Sequence, residues 1–187
     1  NDDKLMNAFV YVTGDPVKAH RFELPASDVA LQRVNCQYAP RVFGLRVGQN
    51  LVVWNRDPTH HNVHPVPKMN VEWNFTQAPQ SPPVVKTFAR EEALILIKCN
   101  QHPWERAFVG VMDHPFFAVS NELGSYEISG LPAGTYRFVA FHEAFEEQEM
   151  EITLVPGENR RIDFTFDLDQ GLKKTWPYYS VTGSARE

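Results

Sequence analysis

Ala93-Leu94-Ile95-Leu96-Ile97-Lys98-Cys99-Asn100-Gln101-His102-Pro103-Trp104-Glu105 runs from a strand-like segment into a loop that gathers a thiol, an imidazole and a carboxylate within seven residues. Ala107 to Met112 gives an apolar strand leaving the loop. Soft and borderline donors crowded on a loop between two strands have the composition of a metal site. A second segment supports this reading. Leu51 to Trp54 is strand-like, Arg56-Asp57-Pro58-Thr59 is loop, and His60-His61-Asn62-Val63-His64 follows directly. Strand alternation puts His60, Asn62 and His64 on one side and His61 on the other, so the residues alone leave His61 and His64 as competing partners of Cys99.

Outward from these segments the chain reads as strand after strand. Ala8 to Thr13 is aromatic and β-branched and is stopped by Gly14-Asp15-Pro16, and Val17 to Ala30 holds a short helix or a loop. Tyr38, Val42, Leu45, Val47 and Leu51 to Trp54 read as a hairpin turning at Val47-Gly48-Gln49-Asn50. Pro65 to Pro83 is proline-rich and polar around the aromatic segment Val71 to Phe75, read as an exposed strand or a partner-facing loop. Beyond Asp113 come short strands at Ser125–Ser129, Thr135–Phe141, Gln148–Val155 and Arg161–Phe166, separated by turn sequences such as Gly130-Leu131-Pro132-Ala133-Gly134. In the last of them Ile162, Phe164 and Phe166 share one face. With no helical period of useful length, the predicted class is all-β with two sandwich-like units.

Composition narrows the function. The 187 residues carry a net charge of −5 with no Lys/Arg block, which argues against nucleic acid and anionic membranes as main partners. No apolar run approaches the roughly 20 residues of a membrane span. Two cysteines are too few for a disulfide scaffold. The polar start Asn1-Asp2-Asp3-Lys4 lacks an initiator methionine, which gives the expectation of a removed leader and a periplasmic or extracellular location.

Two resemblances follow from these motifs. Cys99-Asn100-Gln101-His102-Pro103-Trp104 resembles the copper loop of amicyanin-type cupredoxins, which reads Cys-x-x-His-Pro-aromatic-Met. Tyr38-Ala39-Pro40 through Val47-Gly48 to Trp54-Asn55 and His61-Asn62-Val63 is similar to plastocyanins. The resemblance covers residues 27–113 and implies a Greek-key cupredoxin sandwich in which His61, Cys99 and His102 hold one copper ion and Asn62 braces the ligand loop. It also implies electron transfer to a redox protein partner, such as a cytochrome or a larger complex. Gly124-Ser125-Tyr126 through Gly130-Leu131-Pro132-Ala133-Gly134-Thr135-Tyr136 looks like a carboxypeptidase-regulatory or transthyretin-like domain. That likeness implies a β-sandwich from residues 5–26 with 114–167, a binding module without catalytic residues, followed by an extended C-terminal tail at 168–187.

The chain departs from the amicyanin pattern at Glu105, where a weak axial methionine is expected. A carboxylate there either binds the metal, favouring Cu(II) and lowering the potential, or faces solvent beside Arg106. Two imidazoles and a thiolate suit copper in both oxidation states, and zinc takes His, Cys and Glu as a second choice. Cys36 has three readings: a buried free thiol, an extra sulfur near copper, or a disulfide partner of Cys99 that would abolish the site. His114 and His142 are read as loop or interface histidines. The expected function is electron transfer by a non-enzymatic copper protein, because three or four protein ligands leave little room for substrate. The rival is a non-catalytic accessory subunit whose metal is structural or absent.

Overall fold

In the computed structural model, which describes residues 4–167 and the strand 179–186, β-branched and aromatic runs form strands, and Gly, Pro and Asn fall in the turns between them. In chain order, β1 (Phe9–Thr13) and the one-turn α1 (Asp15–Lys18) are followed by β2 (Val29–Val34), β3 (Gln37–Ala39), β4 (Val42–Arg46), β5 (Leu51–Asn55), β6 (His61–Val66), β7 (Phe75–Gln77), β8 (Val84–Lys86), β9 (Glu92–Lys98) and β10 (Arg106–Met112). The remaining strands are β11 (Phe117–Val119), β12 (Ser125–Ile128), β13 (Gly134–His142), β14 (Phe145–Leu154), β15 (Asn159–Phe166) and β16 (Tyr179–Arg186). Among the described residues no helix is long and apolar enough to cross a membrane. Two compact units result, one from Phe22–Pro115 and the other from the chain on either side of it.

In the Phe22–Pro115 unit a five-stranded sheet, β4-β10-β9-β6-β7, and a four-stranded sheet, β3-β2-β5-β8, enclose one core. Leu31, Leu51 and Val53 enter it from one sheet, and Leu45, Val63, Ile95, Ile97 and Val109 from the other, all essentially without exposure. The segment expected to be a hairpin is instead a crossover. β4 pairs parallel with β10, while β5 lies in the other sheet between β2 and β8, so Val47 to Asn50 carries the chain from sheet to sheet. The reason lies in the turn. Gln49 is buried, its Oε1 accepts from Arg46 N–H at 2.9 Å and its Nε2 donates to Ser27 O at 2.8 Å, and Gly48 takes a φ of 80°. The side-chain amide thus makes bonds that a paired strand would otherwise make.

The crossover puts the entry to β6 and the exit from β9 side by side, since β6 and β9 pair antiparallel with His64 opposite Lys98. Both metal-type segments therefore leave the same end of one sheet. In the segment before β7, Trp73 stacks on Phe75 at 5.4 Å and packs against the core, while Val71 is exposed. Its approach is pinned by Glu92, whose carboxylate accepts from the backbone N–H of Lys68, Met69 and Asn70 and from Asn70 Nδ2. Burial alone would raise the Glu92 pKa, but these donors outweigh it and hold the carboxyl below its ordinary 4.5. The unfolded chain therefore takes up this proton first, so the anchoring is complete above pH 4.5 and is lost as pH falls through the lower folded value. Glu92→Gln is expected to speed amide exchange at Lys68, Met69 and Asn70 about tenfold, the loss of one charge-assisted bond of ~1.5 kcal/mol. Unchanged exchange at those amides would show that the carboxylate holds nothing.

The second unit pairs a β11-β1-β13-β14 sheet with a β12-β16-β15 sheet. Phe9, Val12 and Phe138 are buried, as are Ile162, Phe164 and Phe166 on the one face of β15 read from the sequence. Tyr136 closes the turn before β13 by donating to Pro132 O at 2.7 Å, and a side chain at Gly134 would meet its ring at 3.3 Å. Within the expected extended tail at 168–187, Tyr179–Arg186 is a strand, parallel to β12 and antiparallel to β15. Tyr-Ser-Val-Thr-Gly-Ser-Ala-Arg has too few large apolar residues to announce a strand, and it is paired on both edges instead. Residues 168–178, with Trp176 and Tyr178, lie outside the described residues.

Candidate metal centre

His61 opens β6, Cys99 follows β9, and the loop from Cys99 to Glu105 closes on itself before β10. Cys99 N–H donates to Glu105 O at 3.3 Å and Glu105 N–H to His102 O at 2.9 Å. This closure turns the side chains of Cys99, His102 and Glu105 toward His61. His102 Nδ1 lies 3.6 Å from Cys99 Sγ, 3.1 Å from His61 Nδ1 and 3.0 Å from Glu105 Oε1, and His61 Nδ1 lies 2.9 Å from the same oxygen. One donor atom from each of the four residues falls within 4.8 Å of the others. His61, Cys99 and Glu105 are buried, and only His102 keeps an exposed edge.

The chemistry of this set fits a cation. Two imidazole nitrogens, a sulfur and a carboxylate point their electron pairs at one another, and neither Glu105 oxygen accepts a hydrogen bond although both are buried. A buried carboxylate without donors costs several kcal/mol unless a positive charge meets it. Burial lowers the His61 pKa; Glu105 and Asp57 pull it up, Arg33 and His102 push it down, and the net shift is downward. A neutral imidazole offers a lone pair, which is what a metal takes.

All four predicted residues are thus brought together, and His64, the competing histidine, is not among them. His64 is turned away, with Nδ1 3.1 Å from Asn100 Oδ1 and Nε2 on Glu72. Glu105 is 1% exposed, so the reading that left it in solvent beside Arg106 is corrected. Asn62 braces the two loops: its Oδ1 accepts from Asn100 N–H at 3.2 Å and its own N–H points at Cys99 Sγ at 3.4 Å. Cys36 and Cys99 are both free thiols. Cys36 sits half-buried in the β2–β3 turn with a φ of 54°, and its O accepts from Trp104 Nε1 at 3.1 Å. Burial pushes its thiol pKa up, with Asp57, Glu105 and Cys99 adding to the effect. His114 lies in the loop after β10, buried and 3.8 Å from Glu91, and His142, at the end of β13, accepts from Ala144 N–H at 3.2 Å.

Residues 100–167 match the carboxypeptidase regulatory-like domain model. The match begins inside the metal loop and runs through β15. Among solved structures the chain is similar to a copper-containing nitrite reductase from Thermus scotoductus, at 18% identity over 54% of this chain, with a TM-score of 0.42. It spans 27% of that enzyme. It is also similar to a reduced amicyanin variant, at 22% identity over 48% of this chain and 86% of the other, with a TM-score of 0.40. A purple cupredoxin from Nitrosopumilus maritimus matches at 19% identity over 45% of this chain and 99% of the other, with a TM-score of 0.38. No curated protein sequence matches the chain significantly. The chain is all-β, similar to cupredoxins in one part and to the carboxypeptidase regulatory-like domain in another.

Three residues around the centre were not singled out by the sequence. Asp57 Oδ2 lies 3.0 Å from His61 Nε2, and its carboxylate is fixed by the N–H groups of Asn35 at 2.7 Å and Cys36 at 3.0 Å. Its position four before His61 was the available signal, hidden by the look of a turn in Arg56-Asp57-Pro58-Thr59. Tyr38 donates to Asn62 O at 3.2 Å from beneath the loop. Arg33 donates to the same oxygen at 2.9 Å, and no periodicity marks a buried arginine in β2.

Proposed function

We propose that this chain is a mononuclear copper protein for electron transfer, with His61, Cys99, His102 and Glu105 as the ligands. The observation that carries the reading is the convergence of four donor atoms within 4.8 Å around a carboxylate that has no hydrogen-bond donor. Bound copper would supply a one-electron Cu(II)/Cu(I) couple. The rest is the work of the chain. Cys99 offers a soft donor and the imidazoles borderline ones, while Glu105 adds a hard anionic donor that favours the oxidised ion. The Asn62 amide and the closed loop hold Cys99 in place, so little rearranges between the two states. His102 keeps 21% side-chain exposure, and Trp104, 61% exposed with its ring 5.2 Å from His102, extends that edge to the surface. A redox protein docking on that edge is the proposed partner, and the periplasm or the extracellular space the proposed location. Four protein ligands leave no position for a substrate, so the chain is not an enzyme.

Titrating the purified, reduced, metal-free chain with Cu(II) tests this directly. One copper per chain with a sulfur-to-copper absorption band and a Cu(II) EPR signal is expected. Saturation by Zn(II) with no sulfur band from copper would sink the electron-transfer reading and leave a structural metal.

A further inference from the structure

Arg33 is 0% exposed near the end of β2. Nη1 donates to Asn62 O at 2.9 Å, Nη2 donates to Gln77 Oε1, and Nε meets no acceptor. The guanidinium lies 5.3 Å from the centre of the Tyr38 ring. Among the described residues no carboxylate stands within ion-pair distance of it. A guanidinium stays charged in proteins, and burying one without a counter-ion costs several kcal/mol. The Glu105 carboxylate, buried in the same unit with the opposite sign, accepts no hydrogen bond and faces only the imidazole nitrogens of His61 and His102, at 2.9 and 3.0 Å. Asn62 joins the two places: its O accepts from Arg33, it follows His61 directly, and its N–H points at Cys99 Sγ at 3.4 Å.

We propose that Arg33 is the charge-compensating residue of the metal centre: its buried positive charge balances Glu105, which stands where a neutral thioether is usual, and raises the reduction potential of bound copper. The proposal rests on the copper reading above. Cys99 and Glu105 together neutralise Cu(II) and leave Cu(I) with an uncompensated negative charge, so a fixed positive charge nearby favours the reduced ion. The hydrogen bonds of Arg33 to Asn62 and Gln77 keep that charge at a set distance from His61.

Arg33→Gln and Arg33→Lys in the copper-loaded chain separate charge from packing. Arg33→Gln is expected to shift the Cu(II)/Cu(I) ratio toward Cu(II) about tenfold at a given potential, about 59 mV for one electron. Arg33→Lys is expected to retain most of the wild-type potential. An unchanged potential in Arg33→Gln, or an equal drop in both variants, would overturn the proposal. The metal-free chain gives an independent readout through thermal unfolding of Arg33→Gln, Glu105→Met and the double variant. Glu105→Met is expected to stabilise the Arg33→Gln background more than the wild type, and strict additivity would count against compensation. If Arg33→Gln alone fails to fold, the double variant is expected to fold, and its failure too would overturn the idea. A wild-type chain that binds no copper defeats the copper reading, whereas the metal-free cycle still decides whether Arg33 and Glu105 balance each other.

Discussion

Cys99→Ser is expected to remove the sulfur-to-copper absorption and to weaken copper binding by more than the roughly 10–100-fold that loss of a residue behind the ligands costs. Cys99 is 3% exposed, and its Sγ sits 3.6 Å from His102 Nδ1 under the Asn62 amide. A serine hydroxyl does not ionise near neutral pH and is a hard donor, so it gives up both the charge and the softness that hold Cu(I). The metal-free fold has less to lose, since a thiol and a hydroxyl of similar shape fill the same space beside an amide donor. Competition against a chelator of known affinity measures the loss, and melting of the metal-free variant shows whether folding contributes. Cys36→Ser is the control and is expected to keep the band. A band that survives Cys99→Ser and vanishes in Cys36→Ser would move the thiolate ligand to the β2–β3 turn.

Much of this architecture is legible in the sequence because two periods coincide with burial. The alternation in Ile162-Asp163-Phe164-Thr165-Phe166 matches a buried and exposed sequence in β15, and in β13 Tyr136, Arg137 and Phe138 follow it until Val139, which is buried as well. The metal loop is legible because its donors are close in sequence, and a loop of seven residues closed by two backbone bonds has few ways to arrange them. Long-range relations are not legible in that way. Val47 to Asn50 has the composition of a hairpin turn, and only the side-chain bonds of Gln49 send it across to the other sheet. Strand alternation puts His61 and His64 on opposite faces without saying which face meets Cys99, and it takes the bonds of His64 to Glu72 and Asn100 to show that it is turned away. Arg33 and Asp57 escape notice because a charged residue reads as surface until its partners are known: Arg33 bonds Asn62, 29 residues away, and the near partner of Asp57, His61, stands behind a segment with the look of a turn. Tyr179–Arg186 escapes for the complementary reason, since backbone pairing on both sides leaves little for side-chain pattern to show.

Glu105→Met is expected to act with opposite signs on the two forms of the chain. Without metal, the wild type holds a 1% exposed carboxylate that accepts no hydrogen bond. Replacing a buried ionic group with an apolar one of similar volume is neutral or stabilising, by up to ~1–4 kcal/mol, and the flexible methionine adapts to the space. The metal-free variant therefore melts at a higher temperature, by less than it would without Arg33 to balance the carboxylate. With copper, the hard anionic donor is exchanged for a soft neutral one, so affinity for Cu(II) falls relative to Cu(I) and the reduction potential rises. Stabilisation by a ligand follows its affinity, so the gain in melting temperature on adding Cu(II) shrinks in the variant while that on adding Cu(I) is kept. Paired melting curves with each ion, together with the potential, read out all of this. A variant that melts lower without metal and keeps the wild-type potential would show Glu105 to be a structural carboxylate beside the metal rather than a ligand to it.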